Sequence, residues 1–184
     1  MKTPSSLSPG RLAALIALTA SCFFPSVASA QIPRERQTAI GFAAGAAFPF
    51  EGSVSTGYDL GATFDYYLFS NQAGLRGTLG YTHSGTDLSG DPSRSVGYLT
   101  ASAFYRLRGE TLAPYVVGGI GLYTIDPPYG SMTVRFGLHA GAGVEFFIRR
   151  RFALTGEALV HGIGSVEELT SSYVSVKAGI RYFF

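Results

Sequence analysis

The sequence predicts an all-β fold, an eight-stranded antiparallel up-and-down β-barrel that is transmembrane. Three observations predict it. From Ala39 to the C terminus, stretches of roughly ten residues carry an apolar side chain at every second position, the period of a strand with two unlike faces. Clusters of Gly, Pro, Asn, Asp and Ser separate these stretches as turns do. The chain is 46% hydrophobic and only 14% charged, yet past the first 30 residues no run approaches the roughly 18 consecutive apolar residues of a spanning helix.

The first element is a leader. Lys2 and Arg11 stand without an acid, 12–24 is a short apolar run, and Ala28-Ser29-Ala30 supplies small residues before Gln31. That pattern reads as a secretory signal peptide, residues 1–30, cleaved near Ala30. The one cysteine, Cys22, lies inside it, and Thr19 occupies the position where a lipidated cysteine wants an aliphatic residue. The remaining 154 residues therefore hold no disulfide, thiolate nucleophile or cysteine metal site. They carry 12 basic and 12 acidic residues, which removes the electrostatic case for nucleic acid. Residues 31–38 read as a polar lead-in and 39–184 as one barrel domain.

The strands follow in order. The first is expected over 39–48. The second, over 58–68, sets Tyr58, Leu60, Ala62, Phe64, Tyr66 and Leu68 against Asp59, Gly61, Thr63, Asp65 and Tyr67. Weaker alternation predicts the third, fourth and fifth over 73–83, 96–107 and 114–125. The sixth, over 134–148, opposes Val134, Phe136, Leu138, Ala140, Ala142, Val144 and Phe146 to Arg135, Gly137, His139, Gly141, Gly143, Glu145 and Phe147. The seventh spans 152–162. In the eighth, 173–184, Val174, Val176, Ala178, Ile180, Tyr182 and Phe184 share one face, and Lys177 and Arg181 the other. Such lengths suit tilted crossings of about 9 to 11 residues.

Short polar connections at 70–71, 109–110 and 149–151 alternate with connections at 48–55, 84–93, 126–131 and 164–170 that are generally longer. An even strand number puts both termini on the side of the short turns. The orientation of the faces follows from width. Eight strands leave an interior that side chains just fill, which the bulky apolar face would overfill and the Gly, Ala, Ser and Thr of the other face would suit. An Arg or Lys on the lipid face would cost about 2 to 4 kcal/mol at the bilayer midplane. Asp59, Asp65, Arg76, Arg106, Arg135, His139, Glu145, Glu157, His161, Lys177 and Arg181 are accordingly expected inside, as an ionic and hydrogen-bonded plug. Phe48, Tyr66, Tyr81, Tyr105, Tyr182 and Phe184 are expected as interfacial girdles.

The leader end Ala28-Ser29-Ala30, the strand Pro114-Tyr115-Val116-Val117-Gly118-Gly119-Ile120-Gly121 and the terminal Val176-Lys177-Ala178-Gly179-Ile180-Arg181-Tyr182-Phe183-Phe184 together resemble the outer-membrane β-barrel domain family. In scale the chain is similar to the small eight-stranded barrels typified by outer membrane protein X and the transmembrane domain of outer membrane protein A. The resemblance implies the outer membrane of a Gram-negative cell, short turns in the periplasm, and lipid as the surrounding partner. It also implies that Tyr182 and Phe184 are the signal read by the barrel-insertion machinery. Unlike the larger relative, the chain is expected to carry no periplasmic peptidoglycan-binding domain, which speaks against a cell-wall tethering role.

The expected function is a non-enzymatic envelope or surface-interaction role around a plugged polar lumen, without cofactor or metal. Two alternatives stay open. Some barrels of this size edit lipid A with a serine, a histidine and an acid near the outer rim, which directs attention to His83, Ser84 and Asp87 as a hydrolase or acyltransferase site. Against it, adjacent strand residues point to opposite faces. The other alternative is a small pore or ligand-carrying barrel. His139, His161 and Glu157 are also conceivable as a metal site or a catalytic acid pair, but an ionic and hydrogen-bonded lumen network accounts for them better.

Overall fold

A computed structural model describes residues 38–50, 56–68, 72–85, 94–109, 111–126, 132–165 and 168–184. The leader, most of the lead-in and Asp87 lie outside these residues. The strands are β1 (Thr38–Pro49), β2 (Gly57–Tyr67), β3 (Ala73–Ser84), β4 (Arg94–Arg106), β5 (Leu112–Asp126), β6 (Thr133–Arg149), β7 (Phe152–Ser165) and β8 (Glu168–Phe183). Each pairs antiparallel with its sequence neighbours, and β8 closes on β1 from Ala39↔Phe183 to Pro49↔Tyr173. Closure leaves no strand edge to be satisfied by solvent, the condition for sheet in hydrocarbon.

The alternation resolves as expected from width. On the outer wall Leu79 is 65% exposed, Phe136 69% and Ile180 56%, whereas Asp65 and Arg181, on the inner face, are 0% and 4% exposed. Phe48, Tyr66, Tyr81, Tyr105 and Phe184 are all exposed near strand ends.

Two features differ from the sequence expectation. The connection expected across 164–170 is mostly strand: β7 and β8 stay paired out to Ser165↔Glu168, with a register irregularity after Ile163. Beyond the bilayer a ladder can continue without an apolar face, so hydropathy does not mark its end. The lumen, moreover, is not lined by small residues alone. Tyr67, Phe104, Tyr115, Phe147 and Phe183 pack together at the end that bears the termini, and Tyr98, Tyr123 and Tyr173 at the other.

Glycines make room for these rings. Gly74 is the register partner of Phe104 and Gly80 of Tyr98, while Gly143 faces Tyr115. A Cβ at Gly80 would lie 2.1 Å from Tyr98 Cζ, at Gly74 2.3 Å from Phe104 Cζ, and at Gly143 2.5 Å from Tyr115 Cζ. Each ring lies down along the wall in the slot its glycine leaves, so a narrow barrel holds large side chains without widening.

Candidate functional site: the lumen and the outer rim

Inside the barrel the charged groups meet in two connected sets. Asp65 on β2 and Arg76 on β3 are register partners, and Arg76 binds the carboxylate through Nε at 2.7 Å and Nη2 at 3.2 Å. Arg76 Nη1 donates to Glu157 Oε2 at 2.6 Å, and Tyr115 OH donates to the same oxygen at 2.7 Å. Arg181 Nε lies 3.1 Å from Asp65 Oδ2, and its Nη1 pairs with Glu145. Arg106 Nη2 completes the set, 2.6 Å from Glu145 Oε2 and 2.5 Å from Tyr67 OH. Its guanidinium also stands 4.5 Å over the Tyr67 ring.

The second set lies nearer the opposite end. Tyr98 OH donates to Asp59 Oδ1 at 2.6 Å and accepts from Lys177 Nζ at 3.1 Å, while Lys177 Nζ is 3.7 Å from Asp59 Oδ2. His161 bridges Tyr123 OH (3.0 Å from Nδ1) and Ser175 Oγ (3.3 Å from Nε2) and stacks on Tyr173 at 4.5 Å. His139 Nε2 is 2.7 Å from Ser102 Oγ, and the two imidazoles stack at 5.7 Å. Among the described residues no three His, Cys, Asp or Glu side chains converge as metal ligands.

Ten of the eleven residues singled out for the lumen thus lie within it. Arg135 does not: it is exposed, on the stretch of β6 where consecutive residues from Thr133 to Phe136 all meet solvent. Its parity is that of the lumen face, but the strand has already passed the rim, and parity carries no information about height along the axis. Beside Thr63, Thr78, Glu157 and Lys177 lies a cavity of ≈ 10 Å³, about the room one water needs.

At the outer rim the structure separates His83 from Ser84. Ser84 is buried toward the lumen, and His83 is half-buried on the outer wall. The serine that His83 does meet is its cross-strand partner Ser95 on β4, with Nδ1 3.0 Å from Oγ. Tyr81 OH donates to that Oγ at 2.8 Å, and the Tyr58 ring is 5.4 Å from the imidazole. His83 and Ser95 lie 12 positions apart in the chain, so only the β3–β4 register could reveal the pair. At the other rim Tyr182 packs against Phe152 at 4.9 Å and against Phe184 at 5.0 Å, edge to face.

The family model described as "Outer membrane protein beta-barrel domain" matches residues 13–184. No curated protein sequence matches the chain significantly. Among solved structures it is similar to Neisserial surface protein A, at 20% identity and a TM-score of 0.59, over 81% of this chain and 97% of that one. It is also similar to the outer membrane protein OprG from Pseudomonas aeruginosa, at 16% identity and a TM-score of 0.62, over 84% and 99%. The outer membrane enzyme PagL is a further neighbour, at 19% identity and a TM-score of 0.51, over 78% and 98%. At these identities the likeness shows the fold.

Proposed function

The chain belongs to the outer membrane protein beta-barrel domain family, and from that premise we propose that it serves the envelope as a non-enzymatic, non-conducting barrel acting through its lipid-facing wall and rims. It is an outer membrane β-barrel, and lipid is its surroundings. The observation that carries the reading is the lumen: four carboxylates, Asp59, Asp65, Glu145 and Glu157, engage four cations, Arg76, Arg106, Lys177 and Arg181, between two layers of aromatic rings. Ions would have to separate these buried charges from their partners, which is costly in a low dielectric. Residues 1–30 direct export and are removed near Ala30, and Tyr182 and Phe184 present the last strand to the insertion machinery. Protein folded into a planar bilayer should show no resolved conductance steps. Steady unitary currents would replace this reading with that of a small pore.

One contact favours a second reading, an outward-facing acyl hydrolase. His83 and Ser95 form a hydroxyl–imidazole pair on the outer wall near the end away from the termini, and Tyr81 donates a hydrogen bond to the hydroxyl. A nucleophile and base within hydrogen-bond reach are the minimum for acyl transfer. The described residues add no acid to orient the imidazole, so the non-enzymatic reading stands first. Lipid A from cells expressing Ser95→Ala should carry the same acyl chains as from cells expressing the parent. A difference between the two would establish the hydrolase.

A further inference from the structure

The outer wall is indented on one side of the barrel. Its outward side chains shrink to methyl groups at Ala44 on β1 and Ala62 on β2, while their cross-strand partners Phe42, Leu60 and Leu79 stand exposed around them, with Ile180 beside Phe42. The result is an apolar groove of ≈ 710 Å³ that crosses β8, β1, β2 and β3. Its size is that of a small-molecule site, and a lining of aliphatic and aromatic carbon that opens on the bilayer suits an acyl chain.

One end of the groove is polar. Tyr81, which lines it, donates its hydroxyl hydrogen to Ser95 Oγ at 2.8 Å. The strand register then sets four residues side by side in one outward-facing row near the end away from the termini: Tyr58 on β2, His83 on β3, Ser95 on β4 and Asp126 on β5. Ser95 Oγ is 3.0 Å from His83 Nδ1, the Tyr58 ring stands 5.4 Å from the imidazole and 6.4 Å from the Tyr81 ring, and Asp126 is exposed. Hydroxyls, an imidazole and a carboxylate both donate and accept hydrogen bonds, and the two phenol rings add apolar faces. Among the described residues of β2 to β5, no lysine or arginine shares this face.

We propose that the groove and the row together bind a lipid with an uncharged sugar headgroup, in the leaflet on the side away from the termini. An acyl chain lies between Phe42, Leu60 and Leu79, and the sugar meets Tyr58, His83, Ser95 and Asp126. The site deepens the reading that the barrel acts through its lipid-facing wall, and depends on it. Two features select this occupant. The groove is continuous with a wall that lipid already surrounds, and the charge of the row suits a neutral headgroup. A phosphate would want a cation and would be repelled by Asp126, whereas sugar hydroxyls donate to the carboxylate and accept from the protein hydroxyls.

The test is native mass spectrometry of the folded barrel released from nanodiscs of phosphatidylcholine, phosphatidylglycerol and monoglucosyl diacylglycerol with identical acyl chains. The parent should retain the glucosyl lipid about tenfold over its share, the effect of one or two net hydrogen bonds. The variant His83→Ala, Ser95→Ala, Asp126→Ala should retain the three lipids in proportion. Ala62→Phe, which fills the groove, should retain fewer lipid molecules of every kind. Heat-modifiable migration on a gel reports folding, and Ser95→Ala alone replaces the triple variant if that fails to fold. Proportional retention by the folded parent, or a preference for phosphatidylglycerol, overturns the proposal while leaving the barrel reading intact. A glucosyl preference that survives both variants also overturns it, by placing the site elsewhere on the wall; a parent that never inserts into lipid overturns the barrel reading as well.

Discussion

Arg76 on β3 and Glu157 on β7 meet across the full width of the barrel, with Nη1 2.6 Å from Oε2, while the same guanidinium holds its neighbour Asp65 by a fork of two hydrogen bonds. In a ring of eight strands β3 and β7 are diametrically opposed, so this contact links opposite walls where no backbone ladder does.

Removing Arg76 should therefore weaken the barrel more than any surface change. Arg76→Met leaves Glu157 without its cation and Asp65 with Arg181 alone, and breaking such a buried pair costs about 3 to 5 kcal/mol. Urea unfolding in detergent micelles should show that loss. Arg76→Met combined with Glu157→Gln should be less damaging than the two losses added, by about 1 to 3 kcal/mol of coupling. Additive losses would mean that the two groups act independently.

Gly80 and Gly77 should respond oppositely to the same substitution. A Cβ at Gly80 would stand 2.1 Å from Tyr98 Cζ, and that ring is anchored by its hydrogen bond to Asp59, whereas a Cβ at Gly77 meets nothing within 4 Å. Gly80→Ala is expected to cost about 1 to 3 kcal/mol through overpacking. Gly77→Ala should be neutral or slightly stabilising. Comparing the temperatures at which heat modifiability is lost checks both; a Gly80 variant as stable as the parent would show that the slot has slack.

A charge on the outer wall distinguishes membrane barrel from water-soluble barrel. Leu79→Arg places a guanidinium among the most exposed apolar side chains of β3 and should destabilise the bilayer-inserted state by about 2 to 4 kcal/mol if Leu79 lies near the midplane. Arg135→Leu, beyond the rim, should change insertion little. A tolerated Leu79→Arg measured by folding into vesicles would contradict a lipid-facing wall.

The dependence of the first lumen set on Tyr67 can be separated from its charges. Tyr67→Phe removes the acceptor for Arg106 Nη2 while keeping the ring beneath the guanidinium. The loss should be about 1.5 to 3 kcal/mol, the size of a hydrogen bond to a charged group, and should leave the planar-bilayer recording silent. Conductance appearing in this variant would place the seal of the lumen at this one hydroxyl.

The amino-acid order alone determined the strand count, the face each strand turns inward, and ten of the eleven lumen residues, because period-two alternation reports which side of a sheet a residue lies on. Tertiary structure decided what alternation cannot express: height along the axis and the identity of cross-strand neighbours. Arg135 has the right parity and the wrong height; Ser95, not Ser84, meets His83; Gly80 opens a slot for Tyr98. These depend on register and closure, set by the pairing of all eight strands at once, whereas facing is set residue by residue through the free energy of moving a side chain between water, lipid and protein.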